Sequence, residues 1–169
     1  MKFPVILLTC ALISVAAGAL FAAGEYSNRR APGFSLSDSH FQQHDTQDYH
    51  GKVLLVDFIQ TTCGICQHLT DILLQVKTSY GDKIGIMSIM TLPDNFGTVE
   101  KFATERKIPW PMLFDSGQVM MSYLKVTPAN PKVNFPHLFI IDGSGTIRDD
   151  FEGAEDVAAI SAEIDKLMK

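Results

Sequence analysis

A chain of 169 residues, 46% hydrophobic and 20% charged, suits one globular domain with a genuine core. Its net charge of −5, with no arginine-rich run, excludes the electrostatic footprint of a nucleic-acid binder. No internal repeat or low-complexity tract interrupts it.

Residues 1–24 stand apart from the rest. Lys2 is followed by an almost unbroken apolar run from Phe3 to Ala23, and the first acid is Glu25. A basic start, an apolar stretch and small residues (Ala17-Gly18-Ala19, then Ala22-Ala23-Gly24) make a secretory signal peptide. The run is also long enough to cross a bilayer as an uncleaved N-terminal membrane anchor. Cys10 falls inside it and is incidental. Residues 25–33 (EYSNRRAPG) are polar, with Pro32 and Gly33, and are expected to form a linker; residues 34–169 are expected to form the folded domain.

Phe34-Ser35-Leu36 alternates and predicts a short strand. His40 to His50 is polar and is expected as loop, with His40, His44 and His50 solvated. Val53 to Ile59 (VLLVDFI), introduced by Gly51-Lys52, is short, apolar and β-branched, which predicts a buried central strand. From Ile65 to Tyr80 the residues Leu69, Ile72, Leu73 and Val76 recur at helical spacing, and Gly81 ends the run. Lys83 to Met90 (KIGIMSIM) predicts a second buried strand. Val99, Phe102 and Ala103 mark another amphipathic helix, stopped before Pro109; Pro111 to Asp115 reads as extended, and Val119 to Leu124 as a short helix. His137 to Asp142 (HLFIID) predicts a third strand, Gly143-Ser144-Gly145 a hairpin turn, and Thr146 to Phe151 its partner. Val157, Ile160, Ile164 and Leu167 give a closing amphipathic helix from Ala154 to Met168. Strand, helix, strand, helix, then hairpin and helix make an α/β sandwich with a mixed sheet.

Export implies an oxidising compartment, where cysteines usually form structural disulfides. Outside the apolar run only Cys63 and Cys66 remain, in Gln-Thr-Thr-Cys-Gly-Ile-Cys-Gln-His. A disulfide across two residues closes a tiny loop and restrains the unfolded chain little, so stapling the fold is a weak reason for the pair. The predicted layout puts Cys63 at the C-terminal end of a central strand and the start of a helix. Backbone N–H groups and the helix dipole there stabilise a thiolate, which makes Cys63 the expected nucleophile. Cys66, one turn inside the helix, is the expected resolving thiol. Gly64 lets a substrate backbone approach, and Ile65 fills the remaining position. Asp57 lies within an otherwise apolar strand; a buried carboxylate has a raised pKa and is suited to exchange a proton with Cys66. Pro136 directly precedes the third buried strand, where a proline cannot donate to the ladder and suits a cis turn.

Together these stretches resemble the thioredoxin-like redoxins of the AhpC/TSA-like superfamily, specifically the exported thiol–disulfide oxidoreductases of the TlpA/ResA type. The likeness covers most of residues 31–169. Ala31-Pro32-Gly33-Phe34-Ser35-Leu36 is similar to the family's first strand, and Gly51-Lys52-Val53-Leu54-Leu55-Val56-Asp57-Phe58 to its central strand with the buried acid. Cys63-Gly64-Ile65-Cys66 matches the redox motif. Pro136-His137-Leu138-Phe139-Ile140-Ile141-Asp142, followed by Gly145 and Ile147, resembles the cis-proline strand and hairpin. The resemblance implies a thioredoxin-like fold, a central mixed β-sheet flanked by helices on both faces. It implies a redox-active Cys63–Cys66 disulfide, with Thr62, Gly64, Ile65, Phe135 and Pro136 contacting substrate, and no cofactor. Its clients would be thiols and disulfides of exported proteins, in the periplasm or on the outer face of the cytoplasmic membrane. A membrane redox partner would recycle the pair; such proteins typically keep client thiols reduced, as in cytochrome c maturation. Three departures bear on substrate choice: Thr62 stands where the family usually has Trp, Ile65 where thioredoxin itself has Pro, and an extra segment around Pro128-Ala129-Asn130-Pro131 precedes Pro136.

Two related chemistries compete. A peroxiredoxin needs Thr and Pro at the positions held here by Gln60 and Val56. A Sco-type copper-binding protein is the stronger rival, since Phe58-Ile59-Gln60-Thr61-Thr62-Cys63 resembles its approach to the cysteines, and two thiolates with His137 form a set suited to Cu(I). Zinc lacks a fourth ligand beside Cys63, Cys66 and His68, and His68 reads as a surface residue of the helix. Met87, Met90, Met112, Met120 and Met121 spread through apolar segments as core filling.

Overall fold

The computed structural model describes residues 24–169. The expected signal or anchor therefore lies outside the described residues, apart from Gly24. Among the described residues no helix is long and apolar enough to cross a membrane.

In chain order the elements are β1 (Arg29–Arg30), β2 (Ser35–Ser37), β3 (Gln43–Asp45), β4 (Val53–Ile59), α1 (Gly64–Tyr80), β5 (Ile84–Met90), α2 (Phe96–Arg106), β6 (Met112–Phe114), α3 (Gln118–Tyr123), β7 (His137–Ile141), β8 (Thr146–Glu152) and α4 (Val157–Leu167). The main sheet has the order β1-β8-β7-β4-β5-β6. β4, β5 and β6 run parallel, and β7, β8 and β1 run antiparallel to their neighbours. β4 is central, and all seven of its residues are buried, as are all seven of β5. A strand covered on both faces cannot alternate apolar with polar, which is why these two read as continuous apolar runs.

Alternation sorts the core into two layers. Val53, Leu55 and Ile59 of β4, Ile84, Ile86 and Met90 of β5, and Leu138 and Ile140 of β7 pack against Leu69, Leu73 and Val76 of α1, Val99 and Phe102 of α2, and Ile160 and Ile164 of α4. Leu54, Val56, Phe58, Met87, Ile89, Phe139 and Ile141 form the other layer with Phe34 and with Met120 and Tyr123 of α3. Helices therefore cover both faces, as the resemblance implies. Met87, Met90, Met112 and Met120 are buried in these layers, whereas Met121 is half exposed.

Two stretches depart from expectation. Residues 25–33 do not simply link: Arg29–Arg30 pairs with Thr146–Ile147 of β8. Just before it, the Gly24 N–H donates to Asp149 Oδ1 at 2.8 Å and the Tyr26 N–H to Asp150 Oδ1 at 2.9 Å. The polar sequence hides this strand because backbone groups and two carboxylates, not an apolar pattern, hold it on the sheet edge. His40 to His50 likewise contains β3, paired with β2, and a 3₁₀ turn at Thr46–Tyr49. His40 and His50 are exposed, but His44 is not solvated: its Nε2 lies 3.0 Å from Asp38 Oδ2.

Candidate active site

β4 delivers the chain, through Gln60-Thr61-Thr62, to the start of α1. Cys63 is the N-cap of that helix, with extended backbone at φ −83 and ψ 115. Its Sγ accepts the Cys66 N–H at 3.2 Å. The sulfur stands where a serine or aspartate oxygen normally caps a helix, at the positive end of the α1 dipole. Negative charge on that sulfur is therefore stabilised, and the thiolate favoured. Cys63 and Cys66 are joined as a disulfide, with Cα atoms 5.2 Å apart. Cys63 is partly exposed, whereas Cys66 is fully buried against Leu69 and Leu73. Of the two sulfurs, the capping one is the more open to a partner.

The surface around Cys63 is small or apolar. Thr62, Gly64 and Ile65 are exposed, Ile65 by 58%. A Cβ built on Gly64 meets nothing within 4 Å, so the fold itself does not demand glycine there. Leu92, 66% exposed, joins this rim through its carbonyl, which accepts from Gln60 Nε2 at 3.4 Å. The turn at residues 60–62 is held from below by Asp94, whose Oδ2 accepts the Thr61 N–H at 2.9 Å and whose Oδ1 accepts the Thr61 hydroxyl. Gln67 Nε2 donates to the Thr61 carbonyl at 2.8 Å. Sequence reasoning missed Leu92 and Asp94, since both sit in the connection after β5 and nothing in their spacing ties them to the cysteines.

Pro136 is buried, follows Phe135 through a cis peptide bond, and opens β7. His137 pairs with Phe58, which puts Pro136 level with Ile59 at the end of β4 that leads to Cys63. Phe135 and Cys63 are both half-buried against the same core layer.

Asp57 is fully buried within β4. By alternation it shares the face of Leu55 and Ile59, the layer that also contains Cys66. Its Oδ1 accepts the Ser88 hydroxyl at 2.7 Å, while its Oδ2 has no hydrogen-bond partner among the described residues. Burial pushes its carboxyl up from 3.8 to about 7, against the opposing pull of the Ser88 hydrogen bond. Ser88 in turn accepts from Trp110 Nε1 at 2.9 Å. Neither residue was singled out from sequence. A signal existed, because Ser88 is the one polar side chain in Ile-Gly-Ile-Met-Ser-Ile-Met.

His137 does not join the cysteines. Alternation turns it to the opposite layer, where its ring stacks on Phe139 at 4.6 Å and its Nε2 lies 2.9 Å from Asp150 Oδ2. The rival copper set of two sulfurs and this imidazole is thus divided by the sheet. Among the described residues no group of three or more His, Cys, Asp or Glu side chains is arranged to hold a metal ion. His68 is exposed on α1, as expected of a surface residue.

Comparison with known proteins agrees with this geometry. Residues 28–150 match the AhpC/TSA family. The chain is 26% identical over 133 residues to the thioredoxin-like protein YneN of Bacillus subtilis strain 168, a match spanning 75% of this chain and 71% of that one. It is 27% identical over 122 residues to the thiol-disulfide oxidoreductase ResA of Geobacillus thermodenitrificans, spanning 70% of this chain and 64% of ResA. Among solved structures, a thiol:disulfide interchange protein of the thioredoxin family from Chlorobium tepidum TLS superposes with a TM-score of 0.74 at 18% identity, covering 83% of this chain and 97% of that one. At that identity the likeness speaks for the fold, which is thioredoxin-like.

Proposed function

This chain belongs to the AhpC/TSA family and is a thiol–disulfide oxidoreductase of the thioredoxin-like type, and from that premise we propose that it reduces disulfides of exported proteins through Cys63 and Cys66. The observation that carries the reading is the difference between the two sulfurs: Cys63 caps α1 at the surface, and Cys66 is buried one turn deeper.

In the reduced enzyme the Cys63 thiolate attacks one sulfur of the client disulfide. The client S–S bond breaks, its second sulfur leaves as a thiolate and takes up a proton, and a mixed disulfide forms. Asp57 accepts the Cys66 proton. The Cys66 thiolate then attacks Cys63 Sγ, which forms the Cys63–Cys66 bond and releases the client's remaining sulfur. Two electrons have passed to the client, and a membrane-bound dithiol partner restores the pair. Thr62, Gly64 and Ile65 line one side of the client strand, and Phe135 and Pro136 the other. The apolar run from Phe3 to Ala23 supports export, with residues 1–24 as signal or anchor, and so a setting in the periplasm or on the outer membrane face. The reducing direction, as in cytochrome c maturation, extends the likeness to ResA-type proteins.

Insulin-disulfide reduction tests the roles. Cys63→Ser is expected to abolish it, and Cys66→Ser to accumulate a mixed disulfide visible by mass spectrometry. Equal residual activity in both variants would defeat the assignment. Equilibration of the pair with glutathione tests the direction: a strongly negative potential is expected, and one near the glutathione couple would make the protein an oxidant or isomerase.

A further inference from the structure

The face of the sheet beneath Cys66 carries a chain of three polar side chains that the dithiol chemistry alone does not call for. Trp110, Ser88 and Asp57 are all buried, and they connect Trp110 Nε1 to Ser88 Oγ at 2.9 Å and Ser88 Oγ to Asp57 Oδ1 at 2.7 Å. They come from three separate segments: the approach to β6, strand β5 and strand β4.

For the ionised carboxylate, the direction of this chain is fixed by chemistry. An indole N–H can only donate, and a serine hydroxyl has a single proton. Ser88 Oγ accepts from Trp110, and among the described residues Asp57 Oδ1 is its other hydrogen-bond partner, so its own proton points to Oδ1 whenever Asp57 is ionised. When Asp57 is protonated, a proton on Oδ2 keeps this bond and leaves Oδ1 an acceptor. A proton on Oδ1 would have to donate into Ser88 Oγ and leave the Ser88 proton without an acceptor among the described residues, so the carboxyl proton is favoured on Oδ2, the oxygen with no hydrogen-bond partner among those residues. When Asp57 ionises, the Ser88 bond becomes charge-assisted and strengthens.

We propose that Trp110 and Ser88 are positioning residues, a one-way hydrogen-bond relay that holds Asp57 Oδ1 as acceptor and leaves Oδ2 as the atom exchanging a proton with Cys66. The second half of this statement rests on the dithiol function proposed above; the first does not. In the exchange, the Cys66 S–H bond breaks and an O–H bond forms on Oδ2 as the thiolate appears. Without the relay, the desolvated carboxylate loses its side-chain donor and stays protonated to higher pH, and while protonated it is no base.

The charged and titratable groups on the surrounding elements leave this role to the relay. On α1, Cys66 faces Asp57's layer, Cys63 borders it, and Asp71 is paired with Arg106 of α2. Tyr80 at the end of α1 turns its hydroxyl to Asp165 of α4, and Glu163 of α4 pairs with Lys166. On β8, Asp149 accepts the Gly24 N–H. In the oxidised protein the Asp57 carboxyl is raised by burial, opposed by Ser88 and by its own backbone.

The test is a carbon-13 titration of the Asp57 carboxyl in the oxidised protein, which needs no turnover. In Ser88→Ala the midpoint is expected to rise by about one pH unit, the size of one hydrogen bond to a charged acceptor. Trp110→Phe frees the Ser88 hydroxyl to turn away and is expected to give a smaller rise in the same sense, and Ser88→Thr, which keeps the hydroxyl, to restore the original midpoint. Should Ser88→Ala fail to fold, Trp110→Phe carries the test. An unmoved midpoint in the folded variants overturns the relay. The pH profile of insulin reduction then tests the exchange: the alkaline-rising limb should follow the carboxyl midpoint, with about a fivefold loss at neutral pH in Ser88→Ala that closes at high pH. A midpoint that moves while the limb does not overturns the Oδ2–Cys66 exchange. A wild type inactive on insulin, with the midpoint moving as expected, overturns the proposed function and spares the relay.

Discussion

Replacing Asp57 with asparagine should stabilise the oxidised protein at alkaline pH, and the size follows from its burial. The carboxyl belongs at 3.8 in the unfolded chain and is raised to about 7 in the fold, chiefly by desolvation. A raised acid means the folded state holds the proton more tightly. Its contribution is intact below the unfolded value and is lost as pH rises towards the folded one. Each pH unit between the two costs about 1.4 kcal/mol, so the fully ionised wild type stands about 4 kcal/mol less stable than its protonated form. The Asp57→Asn side chain keeps the shape and the acceptor for Ser88 but carries no charge. Urea unfolding of both proteins in the oxidised state should give similar midpoints near pH 4. The variant's advantage should then grow to about 4 kcal/mol by pH 8, a gap on the order of 2 M urea for a domain of this size. Other titrating groups are common to both proteins and cancel in the difference. A gap that stays constant from pH 4 to pH 8 would refute the reasoning, since Asp57 would then not be an ionisable group held out of water.

The remaining predictions concern packing and the rim of the site. Gly85→Ala would drive a Cβ into the Tyr49 ring; a loss of about 1–3 kcal/mol in urea unfolding is expected, mostly recovered by adding Tyr49→Leu. Leu73→Ala, at a fully buried site on α1, should cost about 2–5 kcal/mol by the same measurement. Asp94→Ala removes two hydrogen bonds to Thr61 and should slow insulin reduction several-fold, more than it lowers stability, because the loop that carries Cys63 is freed. His137→Ala should leave Cu(I) affinity of the reduced protein unchanged in a competitive chelator titration, since the imidazole lies across the sheet from the sulfurs; a large loss would revive the copper reading.

Much of the fold is legible because burial on both faces writes long apolar runs. Val53–Ile59 and Ile84–Met90 are each seven consecutive buried residues, and no short amphipathic helix or loop yields such a run beside Gly and polar boundaries. α1 is equally plain from Leu69, Ile72, Leu73 and Val76, all turned to one layer. β1 and β3 are invisible for the opposite reason. Each has two or three residues, too few for a period, and each is fastened by backbone pairing and carboxylate acceptors rather than by apolar side chains. The same holds for His44, whose pairing with Asp38 depends on a hairpin the polar sequence does not announce.

At the site, the parts that follow one another in sequence are readable and those that meet through the sheet are not. Asp57, Cys63 and Cys66 share one strand–turn–helix unit, so spacing alone gives their order and depth. Ser88 reaches Asp57 only because β4 and β5 run parallel in a register that sets residue 57 beside residue 88; a shift of one position would turn the serine into the opposite layer. Trp110 enters through a third segment. What could have been inferred beforehand is the need for such partners. A carboxylate on a wholly apolar strand requires a donor, and the neighbouring buried strand offers a single polar side chain able to supply one. That requirement, more than any motif, ties the packing of the sheet to the proton that Cys66 would lose in the proposed exchange.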